Sequence, residues 1–174
     1  MSESAVRRIE IGLLQEIKLC YKELTLGILH DPKNIVNHFS EEVCRKSFSG
    51  NTYPEITKLD YYFLIKNEEE VIGFFRVIDL HFESKIELHG SYGYKNNSHI
   101  KSYFVLSKLF IWEIVKRFHK RKITTVANKE NKNAIHYIKW LGFVEVKPND
   151  DVINMIDLEL DKDIYYTNKE NFYM

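Results

Sequence analysis

The stretch KITTVANKENKNAIHYIKWLGF, residues 122–143, decides the fold because it joins a strand to a helix. Residues 122–128 predict a strand. Residues 129–141 predict a helix, since apolar side chains recur there at the spacing of one helix face, namely Ala134, Ile135, Ile138 and Leu141. Gly142 follows as a natural cap for the helix C-terminus. The stretch therefore predicts a strand–helix unit that ends at Gly142-Phe143.

The residues just before this unit predict a strand, a loop and a long helix. They read K85-IELHGSYGY-94, K95-NNSH-99 and I100-KSYFVLSKLFIWEIVKRF-118. The helix is apolar around much of its circumference, which is typical of a helix packed on a sheet. Successive side chains of a strand point to opposite faces, so Glu87 and His89 lie on one face.

The remaining elements surround this block. They are, in order, a strand 6–11, helices 13–30 and 35–48, a loop 49–58, a hairpin of strands 61–65 and 71–78, and, after the block, strands 143–146 and 152–160. A meander followed by strands separated by helices predicts an α/β fold with a mixed sheet and helices on both faces. We expect one domain over residues 1–160 and a polar, aromatic tail over residues 161–174.

Composition narrows the classes of function. Lys+Arg and Asp+Glu are equal at 25 each, so we expect no nucleic acid and no acidic membrane as a partner. The two cysteines, Cys20 and Cys44, lack metal-ligand spacing and favour a reduced, cytosolic setting. The histidines form no H-x-x-x-H pair or Cys/His cluster, so we expect no metal site.

The order of elements and the segment N131-KNAIHYIKWLGF-143 resemble the GCN5-related N-acetyltransferase (GNAT) superfamily. Its last helix commonly reads N-x-x-A-x-x-x-Y-x-x-x-G-F, and this chain matches it at Asn131, Ala134, Gly142 and Phe143. The strand end H89-G-S-Y92 is most similar to divergent members found in bacteriophages. The resemblance spans roughly residues 5–160 and implies a single-domain, mostly antiparallel sheet with helices on both faces.

The resemblance also implies acetyl-CoA as co-substrate. In the family, a loop Q/R-x-x-G-x-G/A at a helix N-terminus holds the pyrophosphate, where the helix dipole favours an anion. The corresponding residues here are Asn97, Ser98, His99, Ile100, Lys101 and Ser102, with Asn131 as a further cofactor residue. Ile100 and Ser102 stand where the family has glycine or alanine. The cofactor is expected in the V between strands 86–94 and 122–128.

The expected chemistry is attack of an amine on the acetyl thioester, which needs a base and an acid. The resemblance implies a base on the strand before the phosphate loop, which makes Glu87 and His89 the candidates, unless both are solvated surface residues. The family's acid is a tyrosine at the position of Ile138. Tyr137, one residue away, is the candidate substitute, and Tyr92 and Tyr94 are further candidates.

Two functions follow from these observations. The first is an acyl-CoA-dependent N-acetyltransferase whose small-molecule or protein amine acceptor meets helices 13–30 and 35–48 and loop 49–58. The second is a protein that keeps the fold without catalysis, for example a phage virion or assembly component. The missing glycines, Ile138 and an aromatic tail suited to a homo-oligomer or virion contact favour it; the tail residues are Tyr165, Tyr166, Phe172 and Tyr173.

Overall fold

The computed structural model describes residues 12–39, 60–92, 98–146 and 154–167. Their strands form one eight-stranded sheet in the order β1-β2-β3-β4-β5-β6-β8-β7. The strands are β1 Lys18–Tyr21, β2 Leu24–Ile28, β3 Asp60–Asn67, β4 Glu70–Leu80, β5 Lys85–Tyr92, β6 Lys122–Asn128, β7 Phe143–Glu145 and β8 Met155–Leu160. The helices are α1 Ile100–Arg117, α2 Lys132–Trp140 and α3 Asp163–Thr167, with 3-10 helices Pro32–Asn37 and His81–Glu83.

The expected fold class is confirmed. All neighbouring strands are antiparallel except β5 and β6, which are parallel and are joined by α1. The main core lies between the sheet and α1, and a smaller cluster covers the opposite face. The predicted hairpin is confirmed as β3 and β4, and the predicted strand 122–128 coincides with β6.

The predicted helix over residues 13–30 is wrong. Residues 12–15 are helical, and the chain then forms the hairpin β1–β2, in which Tyr21 pairs with Leu24. Lys22 lies in the turn with a φ of 50°. Gly or Asn at this position would have predicted a hairpin turn, whereas Lys does not. Leu24 and Leu26 are buried by alternation along β2, which pairs with β3. Long-range strand pairing overrides the helical spacing here.

The predicted helix over residues 35–48 is replaced, where the structure describes it, by the 3-10 helix Pro32–Asn37. Asp31 caps this helix, since its Oδ1 accepts a hydrogen bond from the Lys33 amide at 3.1 Å. Ile35 and Phe39 pack on the smaller cluster with Tyr62, Leu64 and Phe74. Residues 40–48, the predicted loop 49–58 and the predicted strand 6–11 lie outside the described residues.

The strand–helix unit that decides the fold is confirmed, with α2 shorter than predicted. Asn131 caps α2, because its Oδ1 accepts a hydrogen bond from the Ala134 amide at 3.1 Å. Gly142 follows the helix with a φ of 99°, which is the left-handed conformation expected of a glycine cap.

Part of the predicted tail packs on the sheet. Tyr165 of α3 belongs to the main core, and its hydroxyl donates a hydrogen bond to the Leu141 carbonyl at 2.6 Å. Tyr166 is exposed and meets the Trp112 ring edge-on. Phe172 and Tyr173 lie outside the described residues. Among the described helices, none is long and apolar enough to cross a membrane.

The parallel pair β5–β6 is short. It joins Lys85 to Lys122, Ile86 to Ile123 and Glu87 to Thr124, and it ends there. Beyond this point β5 stays paired with β4 as far as Tyr92, while β6 stays paired with β8. The two strands therefore part like the arms of a V.

A buried ion pair holds the base of this V. Arg121 Nη2 donates to Asp79 Oδ1 at 2.5 Å and to the Lys85 carbonyl at 2.7 Å, and both charged side chains are almost fully buried. The pair joins the end of β4, the start of β5 and the turn that enters β6. Removing one partner would leave a buried charge without compensation.

We expect Arg121→Met to lower the free energy of unfolding by about 3–5 kcal/mol, because it leaves the buried Asp79 carboxylate without its cationic partner. Lys122→Met is the matched control: the adjacent Lys122 pairs with Glu159 at 3.2 Å on the surface, where an ion pair contributes about 0–1 kcal/mol. Urea unfolding followed by circular dichroism measures both. Equal losses in the two variants would contradict the role of Arg121.

Candidate active site

A cleft of about 870 Å³ lies where β5 and β6 part. Residues 88–92 of β5 form one wall and residues 125–128 of β6 form the other. Ala134, Tyr137 and Ile138 of α2 line it from one side. Pockets of this size are typical of small-molecule and cofactor sites.

The two walls of the cleft are strand edges. Residues 88–92 bond to β4 on their outer side, and residues 125–128 bond to β8 on theirs. Their inner edges face each other across the cleft. An extended molecule that carries amide groups can lie along such edges in the manner of an added strand.

Glu87 and His89 lie together at the parting of the strands. His89 Nε2 is 2.7 Å from Glu87 Oε1, and each side chain is about one-fifth exposed. His89 lines the cleft, and Glu87 reaches it through the histidine. The hydrogen bond from His89 is the largest influence on the pKa of Glu87 and lowers it below its ordinary value of 4.5, against the opposing effect of burial. The two residues form a partly buried pair.

A second charged pair lies next to this one. Arg76 stands directly opposite His89 in the β4–β5 register. Its Nε and Nη2 both lie 2.7 Å from Asp60 Oδ1, and the Asp60 side chain is 1% exposed. The Arg76 charge also helps to lower the pKa of Glu87. Sequence reasoning missed Arg76 and Asp60, because only the strand register brings them to this place.

Tyr137 lines the cleft although it stands one residue away from the expected position. Its hydroxyl donates a hydrogen bond to Ser107 Oγ at 2.6 Å, and Ser107 donates to the Tyr103 carbonyl at 2.7 Å. Burial raises the pKa of Tyr137, so the phenol keeps its proton at neutral pH. A further hydrogen bond joins the Tyr103 and Tyr137 side chains. The helical spacing of Tyr103 and Ser107 on α1 is the one feature of the sequence that signals this buried network.

The residues expected to hold a pyrophosphate differ in their exposure and in whether they line the cleft. Asn97 lies outside the described residues, while Ser98 and Lys101 are exposed, Ile100 opens α1 and Ser102 is buried. None of residues 98–102 is among the side chains that line the cleft, whereas Asn131 is.

His99 is held by its own chain. Its Nδ1 lies 2.9 Å from Glu23 Oε1, and its Nε2 lies 3.3 Å from Asn67 Nδ2. An amide nitrogen only donates, so Nε2 accepts and Nδ1 carries the proton. The bond from His99 lowers the pKa of Glu23. The N-terminus of α1 is thereby tied to the turn that follows β1 and to the end of β3.

Of the two further tyrosines considered as the acid, the structure describes one. Tyr92 lines the cleft, and its ring meets Tyr103 edge-on with centroids 5.1 Å apart. Tyr94 lies outside the described residues.

In the part of the chain that the structure describes, no group of three or more His, Cys, Asp or Glu side chains is arranged to bind a metal.

No family model and no curated protein matches the chain. Solved structures do match. A ribosomal-protein-S5-alanine acetyltransferase from Vibrio fischeri has a TM-score of 0.60 at 12% identity, over 83% of this chain and 96% of its own. A spermidine N-acetyltransferase from Vibrio cholerae, solved with CoA and spermine, has a TM-score of 0.58 at 14% identity, over 80% and 96%. The protein yncA from Salmonella typhimurium, solved with its cofactor acetyl-CoA, has a TM-score of 0.59 at 11% identity, over 79% and 93%.

The chain has the GNAT fold. The expected fold is thus confirmed. At this level of identity the likeness concerns the arrangement of the backbone, and function has to be argued from the site itself.

The Glu87–His89 pair predicts a pH dependence of stability. The folded-state pKa of Glu87 lies below its ordinary value of 4.5, so the ionised carboxylate stabilises the fold above that pH and its contribution is lost as the pH falls through the folded pKa. The difference in unfolding free energy between wild type and Glu87→Gln should therefore shrink as the pH falls below about 4.5. Denaturant titrations from pH 3 to pH 7 measure it. In a His89→Ala background the pH-dependent part should be smaller, and a difference that grows toward low pH would contradict the assignment.

Proposed function

We propose that this protein is an acyl-CoA-dependent N-acetyltransferase that transfers an acetyl group from acetyl-CoA to an amine. The observation that carries the proposal is the parting of β5 and β6, with an 870 Å³ cleft between two strand edges and the Glu87–His89 pair at its rim. The solved structures of similar fold that hold CoA or acetyl-CoA support it. The reaction would take place in the cytoplasm, where acetyl-CoA is available.

The donor would lie along the cleft. Its pantetheine arm carries amides that can bond to the inner edges of residues 88–92 and 125–128. Its pyrophosphate would lie at the N-terminal ends of α1 and α2, where backbone N–H groups and the helix dipoles favour an anion. The proposed cofactor residues there are Asn97, Ser98, His99, Ile100, Lys101, Ser102 and Asn131.

His89 would act as the base. The attacking amine nitrogen bonds to the thioester carbonyl carbon, its proton passes to the His89 imidazole, and the carbon–sulfur bond breaks. Glu87, hydrogen-bonded to His89 at 2.7 Å, would orient the ring and stabilise the imidazolium that forms. Tyr137 is the proposed acid because it lines the cleft: its hydroxyl hydrogen, which bonds to Ser107 Oγ in the structure, would turn to the departing thiolate, and the phenolate would regain a proton from water.

Calorimetric titration with CoA and acetyl-CoA tests the proposal. We expect both to bind with micromolar dissociation constants, which correspond to about −8 kcal/mol. Trp140 gives an independent readout, because its ring stacks on the cleft-lining Tyr137 with centroids 6.3 Å apart and its fluorescence should change on binding. No heat and no fluorescence change at millimolar ligand would contradict the enzyme assignment.

Removing the base tests the chemistry. We expect His89→Ala to lower turnover by about 10²–10⁴-fold and Glu87→Gln to lower it less, while the affinity for acetyl-CoA changes little. His136→Ala is the matched control, since His136 is an exposed histidine of α2 outside the cleft lining. The assay follows CoA thiol release with polyamines and amino-terminal peptides as first acceptors, following the substrates named for the similar structures. Unchanged turnover in His89→Ala would remove it as the base.

The second candidate is a protein that keeps the GNAT fold without catalysis, such as a virion or assembly component. One observation favours it: both ring nitrogens of His99, at the expected pyrophosphate site, are engaged by Glu23 and Asn67. Binding of acetyl-CoA without turnover of any amine, together with a defined oligomer in light scattering, would favour this candidate over the enzyme.

A further inference from the structure

A buried tyrosine that the proposed reaction leaves unused lies directly behind the cleft. Tyr103 of α1 is 2% exposed and does not line the cleft, yet it packs on residues that do. Its ring meets Tyr92 edge-on with centroids 5.1 Å apart, and its centroid lies 6.1 Å from that of Tyr137. Its hydroxyl lies against Gly90 of β5. Tyr103 therefore connects the β5 wall of the cleft to the proposed acid on α2.

Two glycines make the space for the Tyr103 side chain. A Cβ atom at Gly90 would lie 3.2 Å from Tyr103 Oη and 2.9 Å from the Phe75 ring. A Cβ atom at Gly73 would lie 3.3 Å from Tyr103 Cε2. Contacts this close would force neighbouring atoms to move, because a packed interior has little room for added atoms. The bare backbone of β4 and β5 at these glycines therefore determines where the Tyr103 hydroxyl lies.

The hydroxyl groups behind the cleft allow one assignment of their hydrogen atoms. Tyr137 donates its hydroxyl hydrogen to Ser107 Oγ at 2.6 Å, and Ser107 donates its own to the Tyr103 carbonyl oxygen at 2.7 Å. A hydrogen bond also joins the Tyr103 and Tyr137 side chains. Because each hydroxyl carries a single hydrogen, Tyr103 is the donor of this bond and Tyr137 Oη is the acceptor. The three residues thus form a closed ring of hydrogen bonds.

The same contacts determine which tyrosine gives up its proton more easily. Burial raises the pKa of both phenols. The hydrogen bonds with Ser107 and Tyr103 act in the opposite direction on the pKa of Tyr137, since a donor to its oxygen stabilises the phenolate. The nearby Tyr137 raises the pKa of Tyr103 further. Tyr103 therefore keeps its proton while Tyr137 gives up its own.

We propose that Tyr103 is a positioning residue for the acid Tyr137, whose phenolate it stabilises by donating a hydrogen bond to Tyr137 Oη. As the thiolate sulfur takes the proton, the O–H bond of Tyr137 breaks and the negative charge moves from sulfur to Tyr137 Oη, where the donor from Tyr103 is already in place. Ser107 keeps donating to the Tyr103 carbonyl. The phenolate then regains a proton from water. This inference rests on the proposed function and adds to it a residue outside the cleft lining.

Removing only the hydroxyl of Tyr103 tests the inference. Tyr103→Phe keeps the ring between the two glycines and should lower kcat by about 10–100-fold, because a hydrogen bond to a charged oxygen is lost, while the KM for acetyl-CoA changes little. Tyr165→Phe is the matched control, since it removes another buried hydroxyl, which donates to the Leu141 carbonyl. Tyr165 lies outside the cleft lining, so kcat should stay as in wild type. An unchanged kcat in Tyr103→Phe would overturn the inference.

A double-mutant cycle determines whether Tyr103 acts through Tyr137. Tyr137→Phe should itself lower kcat, and adding Tyr103→Phe should then change kcat by less than about twofold, because the oxygen that accepts the hydrogen bond is gone. If the two losses multiply in the double variant, Tyr103 has a structural role and the inference is overturned. A wild-type kcat in Tyr137→Phe would overturn it as well.

Folding and binding measurements separate this inference from the proposed function. Thermal melting verifies that each variant folds, and Tyr103→Met, whose flexible side chain carries no hydroxyl, replaces Tyr103→Phe if the latter does not. If wild type and Tyr103→Phe bind and turn over acetyl-CoA equally well, the inference fails and the proposed function stands. If wild type neither binds nor turns over acetyl-CoA, the proposed function fails and this inference fails with it.

Discussion

The structure depends on three residue pairs between two parallel strands. β1 to β5 form one antiparallel half of the sheet and β6, β8 and β7 form the other, and among the described residues the halves share only the short β5–β6 ladder. A parallel ladder needs a crossover, and α1 provides it while burying the main core. The Arg121–Asp79 ion pair stabilises the start of this ladder. Because so little of the two strands is paired, their remaining length is available to line a cleft.

The position of the charged groups follows from the same break in the sheet. Where β5 leaves β6, side chains on the face opposite α1 lose the neighbouring strand on one side, so polar groups there stay in contact with water. Glu87 and His89 occupy this place and pair with each other at 2.7 Å. Arg76 and Asp60 form a more deeply buried pair one strand away. The Glu87 carboxylate beside His89 can stabilise a positive charge on the ring, and Asp60 balances the nearby Arg76 charge.

The sequence pattern of neighbouring residues correctly predicted the elements that short-range interactions determine. The strand over residues 122–128, the cap at Gly142 and the common face of Glu87 and His89 are dictated by neighbouring residues. The hairpin β1–β2 was not predictable in this way, because its apolar residues also fit a helix and its partner β3 begins more than thirty residues later. For the same reason Arg76 was missed: its place opposite His89 is set by the strand register. Tyr137 was a candidate, but its bond to Ser107 requires the packing of α2 on α1.

The helix N-termini and the strand edges of the cleft differ in how well they suit the proposed donor. At the N-terminus of α1, His99 and Ser102 already interact with the Glu23 carboxylate, and Glu130 places an acid in the lining of the cleft. Negative charge near a pyrophosphate weakens its binding, so the helix termini contribute less here than an uncharged glycine loop would. The inner strand edges at residues 88–92 and 125–128 would contribute through backbone hydrogen bonds, which do not depend on these acidic side chains. Affinity for a CoA ester would therefore depend more on the pantetheine arm than on the phosphates.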